Sequence, residues 1–87
     1  MLAVAKFNPR TEKAPEAVAF GAAVREHRKA REWTQEQLAE RAGVSALQIG
    51  FCERGDNVPR LALILRIAQA LRVRPGELLD HIRVKSG

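Results

Sequence analysis

The stretch from Thr34 to Gly55 constrains this chain more than any other. Thr34 stands where a helix can begin. Its hydroxyl can accept from a backbone N–H left free in the first turn, and Gln37 falls at the third helical position, where it completes a capping box. Leu38, Ala39 and Ala42 follow at helical spacing and mark an inward stripe. Gly43 stops the helix, because glycine enters the left-handed region without a Cβ penalty. Val44 fills the corner. Ser45 caps a second helix running to about Arg54, and Gly55 ends it in the same way.

Helix, glycine turn and helix together form a helix-turn-helix, whose second helix lies in the major groove of DNA. The residues resemble the phage-repressor/Cro-type helix-turn-helix family, the xenobiotic-response-element class. The likeness is carried by Gln35-Glu36-Gln37-Leu38-Ala39, Ala42-Gly43-Val44-Ser45, Ile49 and Glu53-Arg54-Gly55. Upstream it takes in Phe20-Gly21, Val24 and Arg28; downstream, Pro59, Leu63, Ile67-Ala68, Ala70-Leu71 and Glu77-Leu78-Leu79. No single tetrapeptide is specific, but the ordered set is.

The resemblance implies an all-α, five-helix DNA-binding domain, usually dimeric, that acts as a transcriptional regulator. It places Trp33 in a large apolar slot between the first two helices. It pairs Arg28 with Glu53, tying helix 1 to the recognition helix. The family usually has glycine where Glu32 stands, so the exit from helix 1 is expected to differ. The outward positions of helix 3, which meet bases in the family, are here Ala46, Leu47, Gly50 and Phe51. Gly50 and Ala46 would form a small-residue strip that lets the backbone approach the groove, flanked by Leu47 and Phe51. Phosphate contacts are expected from Gln35 at the helix 2 N-terminus, where free N–H groups and the helix dipole attract an anion. Further ones are expected from Gln48, Arg54, Asn57 and Arg60.

The rest of the chain falls around this motif. Residues 1–15 form an N-terminal arm with two prolines and three cations, Lys6, Arg10 and Lys13, which could track DNA phosphates. Within it, Leu2–Phe7 reads equally as a short strand or a disordered arm. Residues 16–81 form the domain and 82–87 a tail. Helix 1 is expected from Pro15 or Glu16 to Arg31, with Phe20 and Val24 inward and His27 at the boundary. Pro59 is expected to start helix 4, which is apolar over most of its girth and should be the most buried. Pro75 to His81 reads as a short helix 5 with Leu78 and Leu79 inward. Ile82–Lys85 alternates like a strand and could pair with Leu2–Phe7. Dimerisation is expected through helix 5 and the segment after it.

The 87 residues suffice for one small domain with a modest core. The net charge of +5 suits a polyanion. The cations lie mainly outside the motif, where Glu36, Glu40 and Glu53 outnumber Arg41 and Arg54. Phosphate charge must therefore be met by the flanks. The single cysteine, Cys52, points to a reducing compartment. With no signal peptide and no long apolar run, the chain is expected to be cytoplasmic and nucleoid-associated. No metal set, nucleophile–base pairing or phosphate-binding glycine loop stands out, so neither a cofactor nor an enzyme is expected. An alternative of another class is a protein-interaction module, such as an antitoxin or phage-derived adaptor. The motive is that the outward face of helix 3 is unusually apolar.

Overall fold

The computed structural model describes residues 13–80 and 82. These form five α-helices: α1 (Pro15–Ala30), α2 (Gln35–Ala42), α3 (Ala46–Arg54), α4 (Leu61–Leu71) and α5 (Pro75–Leu79). The domain is all-α, with α2 and α3 forming the helix-turn-helix, and no strand occurs among the described residues. Ile82 donates its N–H to Leu79 O at 3.0 Å and is not in a strand. Leu2–Phe7, the cations Lys6 and Arg10, and 83–85 lie outside the described residues.

Local chemistry sets most of the boundaries. Pro15 occupies the first helical position of α1, where a missing N–H costs nothing. Thr34 Oγ1 accepts Gln37 N–H at 3.0 Å while Gln37 Oε1 accepts Thr34 N–H at 2.8 Å, which closes the capping box of α2. Ser45 and Gln48 repeat the arrangement at α3, at 3.1 and 3.0 Å. Gly43 and Gly55 end these helices at φ 70° and 73°.

The core lies where the five helices converge. Phe20 and Val24 of α1, Leu38 of α2, Ile49 of α3, Ile67 and Leu71 of α4 and Leu78 of α5 are fully buried. Trp33 closes one edge rather than entering the centre. Its ring is half-buried against the core, with the Arg41 guanidinium 4.1 Å from the ring centre. Such a cation–π stack lets a large apolar ring sit at the boundary with solvent.

Four local expectations change. Helix α1 stops at Ala30, and Glu32 adopts φ 58°. It thus takes the left-handed conformation usual for glycine, and Trp33 N–H still reaches Arg28 O at 3.2 Å. The exit is therefore retained despite the missing glycine, at the steric cost of a Cβ in that region. Glu32→Gly is expected to stabilise the domain by about 0.5–1 kcal/mol; an unchanged or lower urea midpoint would show that no strain is stored there.

The second change is at α4. It begins at Leu61, with Arg60 as its N-cap, so Pro59 lies outside the helix. Third, α4 is not the most buried helix. Ile67, Ala68 and Leu71 face the core, whereas Leu61 is 70% exposed and Leu65 is also exposed. Its neighbours cover only one side, and periodicity cannot tell which apolar side goes uncovered. Fourth, α5 ends at Leu79, and Leu79 itself is exposed.

Cys52 is buried, and burial, aided by the neighbouring Glu53 charge, pushes its thiol up to about 12 from 9.0. At pH 9 the folded thiol should stay protonated and unreactive, while an unfolded one would be partly thiolate. A thiol reagent should therefore label Cys52 only at the rate of unfolding. Labelling faster than unfolding would contradict this placement. The same shift makes stability fall as pH rises from about 9 towards 12, because the unfolded chain loses its proton first.

Candidate nucleic-acid interface

The position of α3 is set from beneath by a buried polar network. Arg28 of α1 donates from Nε to Glu53 Oε2 at 2.6 Å and from Nη2 to Oε1 at 2.9 Å. The third nitrogen, Nη1, donates to Trp33 O at 2.8 Å. Gln35, at the start of α2, donates from Nε2 to Glu53 Oε1 at 3.1 Å. Arg28 and Glu53 side chains are only 11% and 3% exposed. The carboxylate holds the Arg28 guanidinium above its ordinary pKa, chiefly through the hydrogen bonds, against the cost of burial. One carboxylate thus joins α1, α2 and α3, and no buried side-chain N or O among the described residues lacks a partner. Planar bidentate pairing fixes angle as well as distance.

The outward residues of α3 are less uniform than their spacing implies. Leu47 projects freely and is 65% exposed. Phe51 is half-buried, with the Arg54 guanidinium 5.2 Å from its ring centre. Ala46 is half-buried against the core. Gly50 is buried: an ideal Cβ there would lie 3.2 Å from Arg54 Nη1 and 3.7 Å from Gln35 Oε1. The small-residue strip expected from Ala46 and Gly50 is therefore not open to an approaching groove. Arg54 folds back along α3 over Gly50, and Ala46 packs partly against the core.

The five polar positions also separate. Gln35 is half-buried and engaged with Glu53. Gln48 spends its Oε1 on the α3 cap but stays exposed. Asn57 and Arg60 are exposed in the α3–α4 loop. Arg54 donates from Nε to Asp56 Oδ2 at 2.8 Å. Lys13 lies here too, at 3.1 Å from Asp56 Oδ1 and donating to Arg54 O at 2.9 Å. It ties the entry of α1 to the exit of α3 and so has a partner within the protein. These bonds, that from Arg54 foremost, hold the Asp56 carboxyl below the usual carboxylate range.

Sequence reasoning passed over Asp56 altogether. Its only signal was a carboxylate two residues beyond Arg54, across a glycine that reverses the chain. Among the described residues no group of His, Cys, Asp and Glu could hold a metal, and no helix is long and apolar enough to cross a membrane. The surface can offer amides, guanidinium groups and apolar side chains to a ligand.

Comparison with known proteins bears on what that ligand is. A family model described as a helix-turn-helix domain matches residues 19–82. An uncharacterized HTH-type transcriptional regulator of Methanothermobacter thermautotrophicus is 52% identical over 48 residues, which cover 55% of this chain and 70% of that one. The restriction-modification controller protein C.AhdI from Aeromonas hydrophila superposes with a TM-score of 0.72 at 38% identity, over 75% of this chain and 98% of that one. The P22 c2 repressor protein, solved in complex with a synthetic operator, gives 0.65 at 31% identity, over 70% and 92%.

Proposed function

The chain belongs to the helix-turn-helix domain family of transcriptional regulators, and from that premise we propose that it binds double-stranded DNA sequence-specifically with α3 in the major groove. One observation carries the reading. Helix α3 is locked to α1 and α2 through Glu53, yet it presents Leu47 outward with no structural duty. A rigid helix with an uncommitted exposed side chain is what groove readout needs. The operator-bound P22 c2 repressor shares the fold. In this reading Leu47 and Phe51 contact bases, thymine methyl groups above all. Gln48, Arg54, Asn57 and Arg60 hold phosphates, with Gln35 aligning the N-terminus of α2 beside them.

Because α3 offers no arginine at its centre for bidentate reading of guanine, the preferred sites should be rich in A·T and low in information. Much of the affinity should come from phosphates and DNA shape. Selection of bound duplexes from random DNA tests this. The expected result is a loose A·T-rich motif whose affinity falls steeply with salt; no enrichment, or capture of protein instead of DNA, would favour the interaction-module reading.

A second copy completes the proposal. Val58 (71% exposed), Leu61, Leu65 and Leu79 leave apolar surface around the start of α4 and the end of α5. A homodimer joined there would set two α3 helices on half-sites roughly 34 Å apart. Sedimentation should show a dimer on DNA; a monomer at high concentration, free and bound, would overturn it.

A further inference from the structure

Gly50 occupies an interior position of α3, where glycine weakens a helix relative to alanine. Nothing in the backbone requires it, since the left-handed glycines of the motif are Gly43 and Gly55. What it provides is room. The Arg54 guanidinium lies where a side chain at position 50 would begin, with Nη1 3.2 Å and Cζ 3.9 Å from the ideal Cβ. Its Nε is held by Asp56 at 2.8 Å, and its Cζ lies over the Phe51 ring, 5.2 Å from the ring centre. Gln35 Oε1 borders the same space, 3.7 Å from that Cβ position. Asp56 is in turn held by Lys13 from the opposite oxygen.

We propose that Gly50 is a positioning residue for Arg54: the missing side chain seats the guanidinium against α3, with Nε on Asp56 and an Nη group left for a DNA phosphate. The inference rests on the DNA-binding reading and assigns Gly50 a role other than contact with bases. A free arginine loses much rotamer freedom when it grips a phosphate. One already oriented by a carboxylate, a ring and a cleared surface loses less. The seat also explains how a helix with so few cations can meet the backbone. Its one arginine lies along α3 beside Gln35 at the start of α2, with half of its side chain open to solvent.

Gly50→Ala separates this role from the alternatives, because stability and binding should move in opposite directions. The crowded atom is the far end of a flexible side chain, so the fold can yield cheaply, and alanine favours the helix. The denaturation midpoint should hold or rise. Affinity for a duplex carrying the selected site should fall about fivefold. The slope of log K against log salt should shrink by about 0.9, the signature of one lost phosphate contact. Arg54→Gln should reproduce both changes, and Gly50→Ala added to Arg54→Gln should do nothing more. If Gly50→Ala weakens binding equally in the Arg54→Gln background, position 50 itself meets the DNA and the inference fails. If the wild type binds and Gly50→Ala binds as well with an unchanged slope, the inference fails while the DNA-binding reading stands. If the wild type shifts no duplex at any salt, that reading fails and carries this one with it.

Discussion

Gly21→Ala is expected to destabilise the domain by about 3 kcal/mol, although alanine is the better helix former. The reason is the closeness of α1 to the end of α3. An ideal Cβ at position 21 would lie 2.1 Å from Cys52 O and 2.8 Å from Glu53 O. Both are backbone atoms and cannot swing aside. The two helices would have to part along the most extensive helix pairing in the domain. Parting them also stretches the Arg28–Glu53 bonds, because Glu53 belongs to the segment being pushed away. Urea unfolding measures the effect, with exposed Ala22 as the control. There, Ala22→Gly should cost only about 1 kcal/mol, from propensity alone. A Gly21→Ala variant as stable as the wild type would mean that α1 and α3 do not approach this closely.

The second large effect is expected at Glu53. Glu53→Ala should cost roughly 3 kcal/mol, mostly by leaving Arg28 charged, nearly buried and short of two acceptors. Gln35 loses its acceptor as well, so the start of α2 should loosen with α3. The pair need not add net stability over an apolar replacement of similar volume. What it supplies is register between three helices. Replacing Arg28 and Glu53 together should therefore cost less than the sum of the single changes, whereas an additive double mutant would show that the two side chains are not coupled.

How much of this could be read from the chain differs by the range of the interaction. The limits of α2 and α3 were legible because Thr34, Gln37, Ser45, Gly43 and Gly55 act within a turn of themselves. The Arg28–Glu53 pair was legible only through family resemblance, since nothing in a spacing of twenty-five residues brings two charges together. Burial of α4 was misjudged because an apolar girth does not say which side its neighbours cover; Leu61 and Leu65 remain outside. Glu32 was expected to alter the end of α1, but the packing of Trp33 and the hydrogen bond to Arg28 O hold it at positive φ. At the site, position 50 reads as outward on a helical wheel. A wheel has no means of showing that Arg54 lies over it and Asp56 holds it there. Gly21 carried a faint signal that went unused: a glycine in the middle of an apolar helix face, costly unless another backbone comes close.

Whether α3 reads bases is tested more cleanly at Leu47 than at Phe51. Phe51 is half-buried and supports Arg54, so Phe51→Ala mixes readout with structure. Leu47 is exposed and belongs to no part of the core. The decisive measurement is the affinity of Leu47→Ala for the selected site and for random duplex at one salt concentration, on protein whose unfolding midpoint matches the wild type. Base reading by α3 implies a loss of about tenfold on the selected site and little change on random DNA, since an apolar contact with bases carries sequence information and phosphate contacts do not. Equal losses on both duplexes, or none on either, would contradict it.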